Sequence, residues 1–128
     1  MEWKVASDIE EELIKIVNSL NLSHLKTKRI FCFRSFGSTS RAQARIWSLP
    51  RIWQQALQAQ PAYCIEILSE KFDKLSKNEQ KRVLIHELLH IPKNFSGSLL
   101  PHRNSRGVSF GKRAEKLFQD LLNFKHEQ

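Results

Sequence analysis

Apolar positions along the chain fall into helical runs at either end and shorter β-like runs between them. Ile9, Leu13, Ile16, Val17 and Leu20 recur at three- and four-residue intervals, which predicts a first amphipathic helix stopping near Asn21. Ser7 and Glu10 have capping-box spacing, so Ser7 is the expected N-cap. Arg29 to Phe36 is rich in aromatic and β-branched residues and predicts a strand, followed by a turn at Gly37-Ser38-Thr39-Ser40. Ala42, Ala44 and Ile46 alternate with Gln43, Arg45 and Trp47, the pattern of a half-exposed strand. Pro50 opens a short helix through Leu57, which Gln60-Pro61 ends. Tyr63 to Leu68 is apolar enough for a central strand. Ser76 and Glu79 form a second capping box, opening a helix that carries Val83, Leu84, Leu88 and Leu89. Pro92 disfavours helical geometry at Ile91, which places His90 in the last turn of that helix. Residues 92–107 then read as a long loop. A final helix over Val108 to Phe124 carries Ala114, Leu117, Phe118, Leu121 and Leu122 on its apolar face. This order predicts an α+β fold: a sheet of about three strands packed on the helix that ends at His90, with flanking N- and C-terminal helices.

The length of 128 residues suits one domain, 1–128, with a real core. A hydrophobic content of 41% beside 27% charged residues excludes a disordered chain. No apolar run approaches the roughly 18 residues of a membrane span, and Met1 to Glu12 lacks a signal-peptide core. No membrane partner is expected, and the cytoplasm is the expected compartment. There Cys32 and Cys64, each inside a β-like run, stay as buried free thiols. Net charge is +8, with Lys and Arg spread along the chain. That suits an ordinary solvated surface and also permits nucleic-acid contact. Nothing in the pattern specifies an oligomeric state.

The chemistry concentrates at His86-Glu87-Leu88-Leu89-His90. Residues four apart share a helix face, so both imidazoles can reach one metal ion. His102 follows in the loop, placing three of the five histidines within seventeen residues. Catalytic zinc takes three protein ligands and leaves one position open. The expected site is Zn2+ on His86, His90 and His102, with Glu87 as general base. Glu115, on the next helix, is the alternative third ligand, followed by an Asp, Asn104 or a water. Arg103, Arg106 and Tyr63 are candidates to assist an oxyanion. His24 and His126 read as surface residues.

The motif His86-Glu-Leu-Leu-His-Ile-Pro92, followed by Phe95-Ser96-Gly97 and Pro101-His102, resembles a metallopeptidase family found in archaea, bacteria and phages. Ser40-Arg41-Ala42, Ala44-Arg45-Ile46-Trp47, Leu49-Pro50, Pro61-Ala62-Tyr63 and Phe72-Asp73 are similar to the same family. The resemblance spans roughly residues 6–103 and implies a small zincin-like domain with zinc on the two helix histidines. His102 stands where the family has its Pro-His element. The resemblance also implies Ala42 to Trp47 as the sheet edge along which a peptide would lie. Arg41 and Arg45 would then either flank the cleft and favour acidic segments, or only guard an exposed edge.

The expected function is therefore a zinc-dependent hydrolase, a small metallopeptidase acting on a protein or peptide. Two other classes use the same residues. One is a zinc hydrolase of a small amide or a nucleic acid. The other is a basic nucleic-acid-binding module in which the zinc is structural.

Overall fold

Four strands and five helices make up an α+β fold over residues 2–102 and 110–126, the part of the chain that the computed structural model describes. In chain order they are β1 (Glu2–Val5), α1 (Ser7–Ser19), β2 (Ile30–Phe36), β3 (Ala44–Ser48), α2 (Arg51–Leu57), β4 (Tyr63–Leu68), α3 (Ser69–Phe72), α4 (Lys77–Leu88) and α5 (Phe110–His126). The sheet order is β1-β2-β4-β3. β2 and β4 run parallel, and the two outer pairs are antiparallel.

β4 is central, as its apolar run predicts, and β3 is an edge. The expected three strands become four because β1 was hidden in the sequence. All four of its residues are exposed, and the run is too short to show a period beside the helix that follows. It exists because β2 offers it a ladder from Glu2↔Phe36 to Val5↔Phe33. α3 was likewise unforeseen; it is one turn long and serves to bury Phe72.

Successive strand residues point to opposite faces. The inner face presents Ile30, Cys32, Tyr63, Ile65 and Ile67 to Leu13 and Ile16 of α1, Leu84, Ile85 and Leu88 of α4, and Phe118 and Leu121 of α5. Burying each such aliphatic side chain stabilises the fold by about 1.5–3 kcal/mol. Cys32 is buried, Cys64 is half-buried on the outer face, and both are free thiols, as expected.

The N-cap of α1 differs from expectation. Ala6 occupies that position with no side-chain cap, and Ser7 is already helical. Glu10 is drawn away, because its carboxylate accepts the N–H of Cys32 at 2.9 Å and ties α1 to β2. The far end behaves as read. Asn21 takes a left-handed φ of 53°, and the N–H groups of Asn21 and Leu22 return to the carbonyls of Asn18 and Val17. At α4 Ser76 does act as the N-cap: its Oγ accepts the Glu79 N–H at 3.2 Å and donates to the Glu79 carboxylate at 3.1 Å. No helix among the described residues is long and apolar enough to cross a membrane.

Candidate metal centre

α4 carries His86 and Glu87 on a segment anchored by Leu84, Ile85 and Leu88, all buried. The helix stops at Leu88, two residues before His90, which was expected in its last turn. The backbone tightens instead: the His90 N–H reaches the Glu87 carbonyl at 3.1 Å, a bond spanning three residues. His90 stays beside His86, with ring centroids 5.3 Å apart.

The segment after Pro92 turns back to the site through three anchors. Phe95 is buried edge-on against Tyr63, 5.0 Å between ring centroids. The Tyr63 hydroxyl accepts the Gly97 N–H and donates to the Ser98 carbonyl, both at 2.8 Å. Gly97 has a φ of +93°, and a Cβ there would stand 2.2 Å from Gln54 Nε2 and 2.7 Å from the Leu49 carbonyl, so only glycine fits. Finally, the Leu100 N–H bonds the His90 carbonyl at 2.7 Å. Two residues later stands His102.

The three predicted histidines thus converge, with one ring nitrogen from each lying within 4.8 Å of the other two. His86 Nε2 and His102 Nε2 are 3.1 Å apart. Nitrogen ligands on one tetrahedral ion stand about 3.3 Å from each other, so this donor set fits a metal ion. His90 Nδ1 lies 2.6 Å from the Leu100 carbonyl. That partner takes an N–H, which leaves Nε2 bare for a metal. Burial, and then the neighbouring His90 and His102, push the His86 pKa down to about 4. Burial also lowers that of His90. Both rings are therefore neutral at ordinary pH. Glu87 is only 7% exposed, and burial pushes its carboxyl up to about 7.

Phe110, the first residue of α5, is buried against all three imidazoles, stacking on His90 at 4.6 Å. It walls the cluster from one side. No periodicity or motif in the sequence singles it out.

A cleft of about 860 Å³ opens over the cluster. Residues 42–46 form one wall, and Arg82, Val83, Ala114 and Glu115 form another. Among the described residues β3 pairs only with β4, and its other edge faces this cleft.

Several expected roles change. Glu115, the alternative third ligand, lines the cleft, but its carboxylate is held by Arg82 at 3.1 and 3.2 Å and it stays outside the cluster. Tyr63 cannot assist an oxyanion, because its hydroxyl is fully used in holding the return loop. The Arg45 guanidinium does not flank the cleft. It sits on the outer face of the sheet, bonded to Glu66 at 2.8 Å. His24 is half-buried in a separate groove with Leu22, Leu25 and Pro92. Arg103, Asn104, Arg106 and the side chain of His126 lie outside the described residues.

A family described as putative phage metallopeptidase matches residues 1–122. The chain belongs to that family. The match takes in α4, the return loop and most of α5, every described element that touches the cluster. Membership in a metallopeptidase family and a convergent three-histidine cluster together imply a bound metal ion. No curated protein and no solved structure matches the chain.

Proposed function

We propose that this chain is a zinc-dependent peptidase with a zincin-like site. The observation that carries the reading is the convergence of His86, His90 and His102 beside a buried Glu87, in a cleft bordered by an open strand edge. Three imidazoles suit zinc, and three protein ligands leave one coordination position for water or substrate. Bound there, zinc would supply Lewis acidity and make water acidic enough to ionise near neutral pH. Glu87 accepts the proton of the attacking water and passes it to the leaving amine. The Leu100 carbonyl keeps the His90 ring in its ligating tautomer throughout. The free edge of β3 takes an extended peptide as an added strand, so that main-chain bonds align the scissile carbonyl with the cluster. The cytoplasm is the fitting compartment, since the free thiols of Cys32 and Cys64 persist there.

Metal content and product analysis test this together. Protein purified without chelator is expected to hold one zinc per chain and to cut an unstructured protein such as casein at internal peptide bonds. Chelation should abolish cutting, and zinc should restore it. A metal-free protein, or a zinc-loaded one that cleaves RNA or small amides while leaving peptides intact, would overturn the reading.

A further inference from the structure

The sheet has an exposed aromatic surface on the side away from the histidine cluster. Its outer face carries Trp3 from β1, Phe31 and Phe33 from β2, and Trp47 from β3. Trp3 is 58% exposed, Trp47 53% and Phe31 38%. Soluble chains seldom leave so much aromatic surface together without a partner.

These rings are held in place. Glu66, on the central strand between them, is only 3% exposed. It accepts the Trp47 indole N–H at 2.8 Å and the Trp3 indole N–H at 3.3 Å, from opposite edges of the sheet. Arg45 closes the set at 2.8 Å and lies over the Trp47 ring at 5.7 Å. Between the two indoles runs an apolar groove of about 250 Å³, floored by Phe33 and Cys64. A buried carboxylate is a costly way to fix two exposed rings unless their orientation matters. Rings already fixed lose little freedom when a ligand stacks on them.

Charge identifies the ligand. From Leu13 to Ile65 the chain has no Asp or Glu, and it has eight Lys and Arg. All thirteen acidic residues lie outside that run, where they balance the thirteen Lys and Arg found there. The whole net charge of +8 therefore belongs to residues 13–65. This run forms β2 and β3, and it carries three of the four aromatics of the face. Lys28 and Arg29 enter β2, and Arg51 follows β3, at the end of the sheet where Phe31, Cys64 and Trp47 stand in one row. Arg29 lies over the Phe31 ring at 6.0 Å. A second copy of so positive a run would be repelled, whereas a polyanion with planar rings is attracted.

We propose that this face binds single-stranded nucleic acid, stacking bases on Trp3, Phe31 and Trp47 and placing phosphates by Lys28, Arg29 and Arg51. Base-on-aromatic stacking beside cationic side chains is the recognised chemistry of sequence-tolerant single-strand binding. The surface goes beyond the peptidase reading and does not depend on it.

Tryptophan fluorescence of the intact chain, titrated with an oligothymidylate of about twelve nucleotides, tests the proposal. Quenching is expected at low salt, with affinity falling as salt rises. Trp3→Ala and Trp47→Ala should each weaken binding about 5- to 100-fold, while Trp47→Phe keeps most of it. The charge variant Lys28→Glu with Arg51→Glu leaves the aromatic cluster intact, so it tests the surface even if a tryptophan variant fails to fold. It should weaken binding and flatten the salt dependence. Four results would overturn the proposal: no quenching at low salt, undiminished binding by the charge variant, undiminished binding by a folded Trp3→Ala/Trp47→Ala double variant, or equal competition by a blunt duplex. A wild-type dimer that Trp47→Ala dissolves, with no affinity for the oligonucleotide, would overturn it in favour of self-association.

Discussion

Glu87 and Glu66 are both buried carboxylates, one beside the metal cluster and one under the outer face, and they sit in opposite electrostatic settings. At Glu87, with no compensating partner among the described residues, burial raises the pKa to about 7. At Glu66 burial pushes the same way, but Arg45 and the two indoles outweigh it and hold the carboxylate at about 2. The three histidines near Glu87 likewise point bare nitrogens at one another. Groups around the metal centre are left short of partners, which makes them available to a metal and a substrate. The Glu66 carboxylate under the outer face is instead saturated with donors, which holds it and its two indole partners in place. Burial alone does not mark a reactive acid; the donors around it decide.

The largest expected effect breaks the comparison at its reactive end. Glu87→Gln keeps the shape but cannot take a proton. It should lower peptide cleavage by about 10²- to 10⁴-fold while metal content, read by elemental analysis, stays at wild-type level. Loss of metal together with activity would make Glu87 a support of the site instead of its base.

Gly97→Ala comes next. A side chain at a φ of +93° with Gln54 Nε2 at 2.2 Å must displace the loop that returns His102. We expect a loss of about 2–3 kcal/mol in chemical denaturation, together with weaker metal binding. Wild-type metal affinity in this variant would mean that the loop anchor does not position His102.

Glu66 sharpens the comparison through pH. Its folded pKa of about 2 is below the ordinary 4.5, so its stabilising effect is complete above about pH 4.5 and is lost as pH falls towards 2. Glu66→Gln should cost on the order of 1–3 kcal/mol at neutral pH. The gap to wild type should narrow below pH 4.5, as urea melts at a series of pH values would show. A gap independent of pH would mean that packing, not charge, sets the role of Glu66.

The smallest effect tests the helix under the metal centre. Ser76→Ala removes the cap of α4 and should cost about 1 kcal/mol in thermal or urea melts, with cleavage unchanged.

Elements with strong local signals were legible. β4 spans the predicted residues, and the Ser76 cap starts α4 where its spacing places it. The histidine cluster was legible too, from the spacing of His86 and His90 and the place of His102 in the following loop, although His90 lies just past the helix end, held by its N–H bond to the Glu87 carbonyl. What failed depended on remote partners. Ser7 lost its capping role because Glu10 found a strand N–H on β2. β1 exists only as the partner of β2. Of the two roles open to Arg45, flanking the cleft or guarding the strand edge, the first gives way, because strand alternation and Glu66 hold its guanidinium on the opposite face. The acid-free run over 13–65 was present in the sequence, yet it gained meaning only when the sheet gathered its aromatics on one surface.

By itself the chain determined the helix that carries the histidine motif, the three histidines that cluster and the central strand, because these follow from short-range spacing and burial preference. Tertiary structure alone decided how His102 reaches His86, through the Tyr63 and Leu100 bonds. It also decided which glutamate is starved of donors and which is saturated. Those outcomes depend on contacts between residues tens of positions apart, and no local pattern encodes which distant donor a carboxylate will meet.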